Sequence, residues 1–229
     1  MRKVLYLITR ILLGFLCCAV GVVLALNSNL GLSPWDVFHQ GLSNLTGVSI
    51  GQASIIVGII IVGLSSILGQ KIGVGTLANM TIIGIFTDLI ISLNFIPQCN
   101  NLVSGFIMIA MAMIATALGS YLYIGCGLGC GPRDGLMVIL MKRTNKPVKL
   151  IRGIIEVSAL ICGYILGGTI GIGTVITALG IGHCIQLICK MLKFDIDKVE
   201  HLNIKDTFIL MSNRAKSGEV ALEKTTNCK

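Results

Sequence analysis

The chain has 229 residues, of which 54% are apolar and only 12% are charged, and its net charge is +8. A soluble domain cannot cover that much apolar surface with so few charges, so we expect a lipid bilayer to surround most of the chain. The net charge does not indicate a nucleic-acid partner, because the basic residues cluster at the ends of apolar segments, where they act as orientation signals.

Six apolar segments are long enough to cross a bilayer, which takes about 20 mostly apolar residues. The first is too long for the apolar part of a signal peptide, so we interpret it as a transmembrane helix. Two further stretches, residues 35–45 and 133–142, are predicted to be helices too short to cross. The six predicted spans are residues 5–26, 50–69, 75–93, 102–124, 148–167 and 173–192.

A Gly/Pro break precedes the first short helix. Gly31 interrupts the chain, Ser33 suits the N-cap, and Pro34 suits the first helical position because its missing N–H would be unpaired there anyway. Asp36 lies three residues after Ser33, which completes a pattern like a capping box and puts a carboxylate at the positive end of the helix. Capping alone explains this aspartate, and contact with a ligand is the alternative.

The second short helix follows a copy of the same motif. A gapless shift of 98 residues aligns Gly31, Pro34 and Asp36 with Gly129, Pro132 and Asp134, and Gly131 takes the place of the capping serine. The same shift aligns two Gly-x-Gly-Thr turns, residues 73–76 and 171–174. We interpret these turns as tight connections in which a threonine caps the next helix.

The repeat predicts an all-α membrane fold with six transmembrane helices. Each half contains three spans, an odd number, so the halves are expected to form two inverted-topology repeats, each with a short re-entrant helix after its Gly/Pro break. Such repeats are typical of secondary transporters. The predicted divisions are a first membrane repeat at 1–98, a second at 99–194, and a polar cytoplasmic tail at 195–229.

The basic residues predict the orientation. Segments 27–49, 94–101 and 168–172 contain no Lys or Arg. Cytoplasmic loops carry the excess of these residues, so both termini are expected in the cytoplasm. The basic residues lie at the other ends of the spans: Arg2, Lys3, Arg10, Lys71, Lys142, Arg143, Lys146, Lys149, Arg152, Lys190 and Lys193.

The two helix starts are the candidate site. Two N-termini that converge from opposite faces would attract an anion, and Arg133 would add a full charge where no basic residue occupies the equivalent position, Trp35. The alternative is a structural ion pair between Arg133 and one aspartate or Glu156. The candidate substrate-binding residues are Arg133, Asp36, Asp134, Ser33 and Glu156.

Other polar residues suggest weaker hypotheses. Asp88 and Gln186 occupy equivalent repeat positions, which hints at a paired role near opposite faces. Cys126 and Cys130 form a C-x3-C pair that could bind a metal or act in redox chemistry, although we favour no metal and no cofactor. His39 and His183 are interpreted as hydrogen-bonded helix residues, not as metal ligands. No enzyme motif is present, so no catalytic activity is expected.

These motifs resemble those of the YczE/YyaS/YitT-like family of bacterial integral membrane proteins. The resemblance rests on residues 31–36, on residues 127–135 and on the two Gly-x-Gly-Thr turns, and it covers residues 1–194. It implies a multi-span protein of the bacterial cell membrane, and it supplies no substrate. We expect a permease or transporter-like protein for a small, anionic solute; a non-transporting accessory or regulatory membrane protein is the alternative. The oligomeric state is not predicted.

The predicted orientation can be tested by cysteine labelling. In a cysteine-free background, Asn100→Cys should react with a membrane-impermeant maleimide added outside intact cells, because the loop at 94–101 lacks basic residues. Asn145→Cys, in the basic segment between residues 142 and 152, should react only after permeabilisation. The reverse pattern would contradict the orientation, and labelling of both from outside would contradict the six-span topology.

Overall fold

The computed structural model describes residues 2–70, 72–129 and 131–194, and this part of the chain is entirely helical, with no strand. Every predicted span and both predicted short helices are present as helices, with ends that differ from the prediction by a few residues. The eight helices are α1 (Arg2–Asn27), α2 (Pro34–Thr46), α3 (Ile50–Ile67), α4 (Val74–Leu93), α5 (Leu102–Ile124), α6 (Pro132–Thr144), α7 (Val148–Ile165) and α8 (Ile172–Met191).

Five helices have the length and apolar composition needed to cross a membrane: α1 from Leu5 onward, α3, α4, α5 and α8. The sixth predicted span, α7, is as long as α3, at 18 residues. It carries three charged residues, Lys149, Arg152 and Glu156, and is therefore the least apolar of the predicted spans. The protein is thus a membrane protein with at least five apolar helices long enough to span the bilayer.

The helices of the two halves have matching bounds. Helices α2, α3 and α4 begin and end 98 residues before α6, α7 and α8, respectively. The packing also matches: α1 lies against α4 as α5 lies against α8, and α2 lies against α7 as α6 lies against α3. The long helices α1 and α5 pack against each other at the centre, where Phe15, Val23 and Ile109 are almost fully buried.

The Gly-x-Gly-Thr turns differ in detail from the prediction. The helices start one residue earlier than expected, so Gly73 and Gly171 are the N-caps of α4 and α8. The prediction that threonine caps these helices was therefore wrong. Thr174 is the third residue of α8, and its Oγ1 accepts a hydrogen bond from the N–H of Gly171 at 3.2 Å. The glycine supplies the turn, and the threonine side chain reaches back to it.

These turns form backbone hydrogen bonds with the breaks that precede the two short helices. The N–H of Gly173 donates to the carbonyl of Leu30 at 2.7 Å, and the N–H of Gly75 donates to the carbonyl of Leu128 at 2.8 Å. Position 31 requires glycine for two reasons. Its φ of +106° is favourable only for glycine, and an added Cβ would collide with the backbone of Gly171. Each Gly-x-Gly-Thr turn is therefore hydrogen-bonded to the Gly/Pro break in the other half of the chain.

Asp88 joins α4 to the start of α3. Its carboxylate accepts hydrogen bonds from the Ser49 hydroxyl at 2.5 Å and from the N–H of Gly51 at 2.8 Å. A carboxylate at a helix N-terminus satisfies free N–H groups and complements the helix dipole. For Gln186, the equivalent residue in α8, the structure records no hydrogen bond to a described residue. Gln186 thus lacks the helix-start contacts of Asp88, and a paired role of the two positions stays a prediction.

The two halves differ in how their last two helices pack. Helices α3 and α4 lie against each other along Gly51 and Gly84, so close that a Cβ on either glycine would collide with the backbone of the other. Helices α7 and α8 barely touch. At the equivalent positions the chain has Lys149 and Gly182, and the space beside Gly182 is open. One end of the molecule is consequently closed where the equivalent end is open.

The hydrogen bonds of Asp88 predict a specific loss of stability. Asp88→Asn should lower the free energy of unfolding by about 1–2 kcal/mol, because charge-assisted hydrogen bonds to the start of α3 become neutral or are lost. Thermal unfolding in detergent would measure this. Gln186→Asn is the matched control and should leave the unfolding temperature unchanged. Equal effects of the two substitutions would contradict the capping role of Asp88.

Candidate functional site

A cavity of about 1190 Å³ lies between the two halves of the protein. Its lining consists of residues at the starts of α2 and α6 and of residues from all the longer helices. All five candidate residues predicted from the sequence line it: Ser33, Asp36, Arg133, Asp134 and Glu156. The structure thus brings together side chains from helices α6 and α7 with those at the start of α2, a distance of roughly 100 residues along the chain.

The start of α2 is built around Asp36. Ser33 is the N-cap, as predicted, and its hydroxyl oxygen accepts from the N–H of Asp36 at 3.4 Å. The same hydroxyl donates a short hydrogen bond to the Asp36 carboxylate. On the other side, Asp36 Oδ1 lies 3.6 Å from His39 Nδ1, one helical turn further on. Asp36 and His39 are both buried in the protein and both line the cavity.

Arg133, at the start of α6, lies over the ring of Trp35, with 4.7 Å between its Cζ and the ring centroid. This is cation–π distance. Trp35 and Arg133 are the equivalent residues of the two motifs, since 35 + 98 = 133, so the short helices meet at corresponding points. Arg133 itself is exposed and lines the cavity, so its guanidinium remains open to a ligand on the side away from the ring.

The ion-pair alternative for Arg133 finds little support among the described residues. Glu156 pairs with Arg152 on its own helix, at 2.9 Å between Oε1 and Nε. No carboxylate of the described chain forms a recorded ion pair with Arg133. The carboxylates that act on its charge electrostatically are, in decreasing order, Asp36, Asp134 and Glu156. The guanidinium is therefore stabilised by nearby negative charge without being locked in a pair.

The start of α6 differs from that of α2. Gly131 is its N-cap, as predicted, and provides no side-chain hydrogen bond. Asp134 lines the cavity and is half-buried, whereas Asp36 is buried. The position equivalent to His39 is Met137. The two motifs are alike in backbone but present different chemistry to the cavity.

The cavity extends toward the basic end of the molecule. Arg152, Lys190 and Lys193 line it together with the C-terminal half of α8. The equivalents of Lys190 and Lys193, Ser92 and Phe95, do not line it, and at that end contacts of Gly51, Gly84 and Asp88 hold α3 against α4. Sequence reasoning had used these basic residues only for orientation. Their position in one lining could not be found without knowing that α7 and α8 separate.

The cysteine hypothesis is only partly addressed. Cys126 is buried, and its thiol donates to the carbonyl of Leu122 at 3.3 Å, a contact within one helical turn. Cys130 lies outside the described residues. Within the part of the chain that the structure describes, no three metal-ligating side chains cluster.

A family model described as a family of unknown function, DUF6198, matches residues 5–190. The chain belongs to this family. It is 37% identical over 169 residues to a protein of Bacillus subtilis named uncharacterized membrane protein YczE, covering 72% of this chain and 77% of the relative. These matches confirm the YczE-like resemblance and the membrane assignment.

Two further relatives extend the comparison. An uncharacterized protein of Haemophilus influenzae is 32% identical over 185 residues, covering 81% of this chain and 84% of its own length. The Bacillus subtilis protein YyaS, also described as uncharacterized, is 30% identical over 169 residues, covering 72% and 83%. No solved structure matches the chain significantly. The function has to be inferred from the cavity itself.

The open and closed ends predict different accessibility at equivalent positions. Ile185 in α8 and Thr87 in α4 both line the cavity and are related by the 98-residue shift. In a cysteine-free protein in detergent, Ile185→Cys should react much faster than Thr87→Cys with a hydrophilic thiol reagent, because α7 and α8 are apart at its end of the cavity, whereas α3 and α4 are packed together at the other end. Denatured samples of both variants provide the control for intrinsic reactivity. Equal rates in the folded protein would contradict the one-ended opening.

Proposed function

We propose that this protein is a secondary transporter for a small anionic solute. The observation that carries the proposal is the cavity at the start of α2 and α6, with the Arg133 guanidinium exposed in it. An intramembrane arginine is costly, and its five-donor fork suits carboxylate, sulfonate or phosphate groups. The N–H groups at the two helix starts add positive potential from the backbone.

The proposal includes six spans arranged as two inverted-topology repeats, residues 1–98 and 99–194. Support comes from the helix bounds that match after a shift of 98 residues and from the equivalent packing of the helix pairs. The hydrogen bonds from Gly75 and Gly173 to the two breaks are equivalent under the same shift. Helix α7 would be the sixth span, and two of its three charged residues, Arg152 and Glu156, line the cavity.

Alternating access follows from the unequal packing of the two halves. In inverted repeats, exchanging the conformations of the halves turns a cavity open to one side into a cavity open to the other. Here α3 and α4 are closed while α7 and α8 are apart. In the second state α7 and α8 would close, and α3 and α4 would separate at Gly51 and Gly84. With both termini in the cytoplasm of a bacterial cell, the state described here faces inward.

Arg133→Lys tests the proposal by uptake into proteoliposomes, with anions, amino acids and cations offered as solutes. Wild type should accumulate one class of anion. The affinity of the variant for that anion, measured from the concentration dependence of uptake, should be roughly 10- to 100-fold lower, because a point charge cannot replace a bidentate contact worth about 1.5–3 kcal/mol. Arg143→Lys is the matched control: Arg143 is exposed, bonds the carbonyl of Leu68 at 3.1 Å and does not line the cavity.

Three outcomes would contradict the proposal. Full uptake by Arg133→Lys would remove the arginine from the binding site. No uptake of any solute by wild type, with folded protein in the vesicles, would favour the alternative of a non-transporting accessory or regulatory protein. Impaired uptake by Arg143→Lys would show that any loss of arginine damages the fold and would overturn the specific role of Arg133.

A further inference from the structure

Asp36 and His39 form a buried acid–base pair in the wall of the cavity. Their side chains are 12% and 6% exposed, and the facing oxygen and nitrogen are 3.6 Å apart. Ser33 occupies the other carboxylate oxygen. The lining of the cavity includes both residues of the pair, so a proton that reaches the cavity through water can reach them.

The second ring nitrogen of His39 is available. Among the described residues, the structure records no hydrogen bond to Nε2, and the only side-chain atom that is both fully buried and unpartnered is the Ser65 hydroxyl. Nε2 therefore keeps some accessible surface, and His39 lines the cavity. With Nδ1 directed at a carboxylate, Nε2 is the atom that can take up or release a proton.

The equivalent helix α6 forms without such a pair. Asp36 has an equivalent in Asp134, but the position equivalent to His39 is Met137. Helix α6 has the same bounds as α2 after the 98-residue shift and forms without the histidine. A residue that only supported the short helix would be expected in both halves. We therefore infer that the histidine has a role that the second half does not share.

The charges around His39 come from few sources. Asp36, whose Oδ1 is 3.6 Å from Nδ1, favours a proton on the ring, and the positive charge of Arg133, which lies over the neighbouring Trp35 in the same cavity, opposes one. Helix α3, which packs against α2, contains no ionisable side chain. From α7 the cavity receives Arg152 and Glu156, which pair with each other. Besides Arg133, α6 contributes Asp134. Within the described part of the chain, Arg133 is thus the cation close to the pair that a bound anion could neutralise.

On the basis of the function proposed above, we propose that His39 and Asp36 form a proton-binding site coupled to the anion at Arg133, so that the protein carries an anion together with a proton. An anion that neutralises Arg133 removes the repulsion that opposes a proton on His39. By linkage, a proton on His39 must strengthen anion binding by the same factor. The sites help each other through charge, without any further moving part.

The proton step involves one bond. The lone pair of His39 Nε2 accepts a proton from a hydronium ion in the cavity, which leaves a water molecule and an imidazolium held by the Asp36 carboxylate. When the cavity opens to the other side, the N–H bond breaks, the proton passes to water, and the neutral ring returns. Proton and monovalent anion together carry no net charge across the membrane.

The test measures anion affinity against pH with sulfate and methanesulfonate, whose charges do not change over the range in which histidine titrates. In detergent-solubilised wild type, affinity should rise roughly 5- to 100-fold as the pH falls from about 8 to about 5. Addition of either anion near neutral pH should also draw protons from a weakly buffered solution. His39→Gln should still bind, without the pH dependence and without proton uptake.

His183→Gln is the matched control, because His183 is exposed, contacts only the carbonyl of Leu179 on its own helix and does not line the cavity. It should keep the wild-type pH dependence. If His39→Gln does not fold, Asp36→Asn provides the test instead. Without the carboxylate, the rise in anion affinity should shift to lower pH.

The outcomes separate the two proposals. Anion binding that is independent of pH in wild type, or a pH dependence that survives His39→Gln, overturns the coupling and leaves the anion site intact. A pH dependence that disappears equally in His183→Gln also overturns it. Binding of neither anion by folded wild type overturns the coupling and the anion site together.

Discussion

The hydrogen bonds that satisfy the backbone at the two breaks connect the halves of this fold. Helices α2 and α6 are preceded by breaks, and a break at depth leaves carbonyl and N–H groups that lipid cannot hydrogen-bond. The protein meets that requirement with the turns of the opposite half: Gly173 binds Leu30, and Gly75 binds Leu128. Each half therefore needs the other to complete its backbone hydrogen bonds, and the cavity lies where the two completed breaks face each other.

Equivalent backbones carry unequal side chains, and the chemistry of the cavity resides in that difference. Ser33 caps α2 where Gly131 caps α6, and His39 has Met137 as its counterpart. Asp88 fastens α4 to the start of α3, while Gln186 forms no such bond in the described chain. The matching helices thus supply a framework, and the differences between them supply the Arg133 guanidinium, the acid–base pair and the closed end.

Local patterns in the sequence were sufficient to predict the helices and the caps at Ser33 and Gly131, because caps depend on residues a few positions apart. They also grouped the five candidate residues, which line one cavity. The partners of Arg133 and Glu156 were not predictable. Arg133 meets Trp35, 98 residues away, and Glu156 takes the nearer Arg152. The prediction of threonine caps was wrong because Gly73 and Gly171 are the N-caps. A glycine cap uses no side chain, so the sequence contains little that marks it.

The contact between Trp35 and Arg133 bears on the origin of the chain. If the two halves descend from one ancestral half-length protein that assembled as an antiparallel pair, positions 35 and 133 were once the same position in two copies. Such a pair would have faced tryptophan with tryptophan, or arginine with arginine, and two guanidinium groups in contact repel each other. Once the two copies were encoded separately, one could keep the ring and the other acquire the charge.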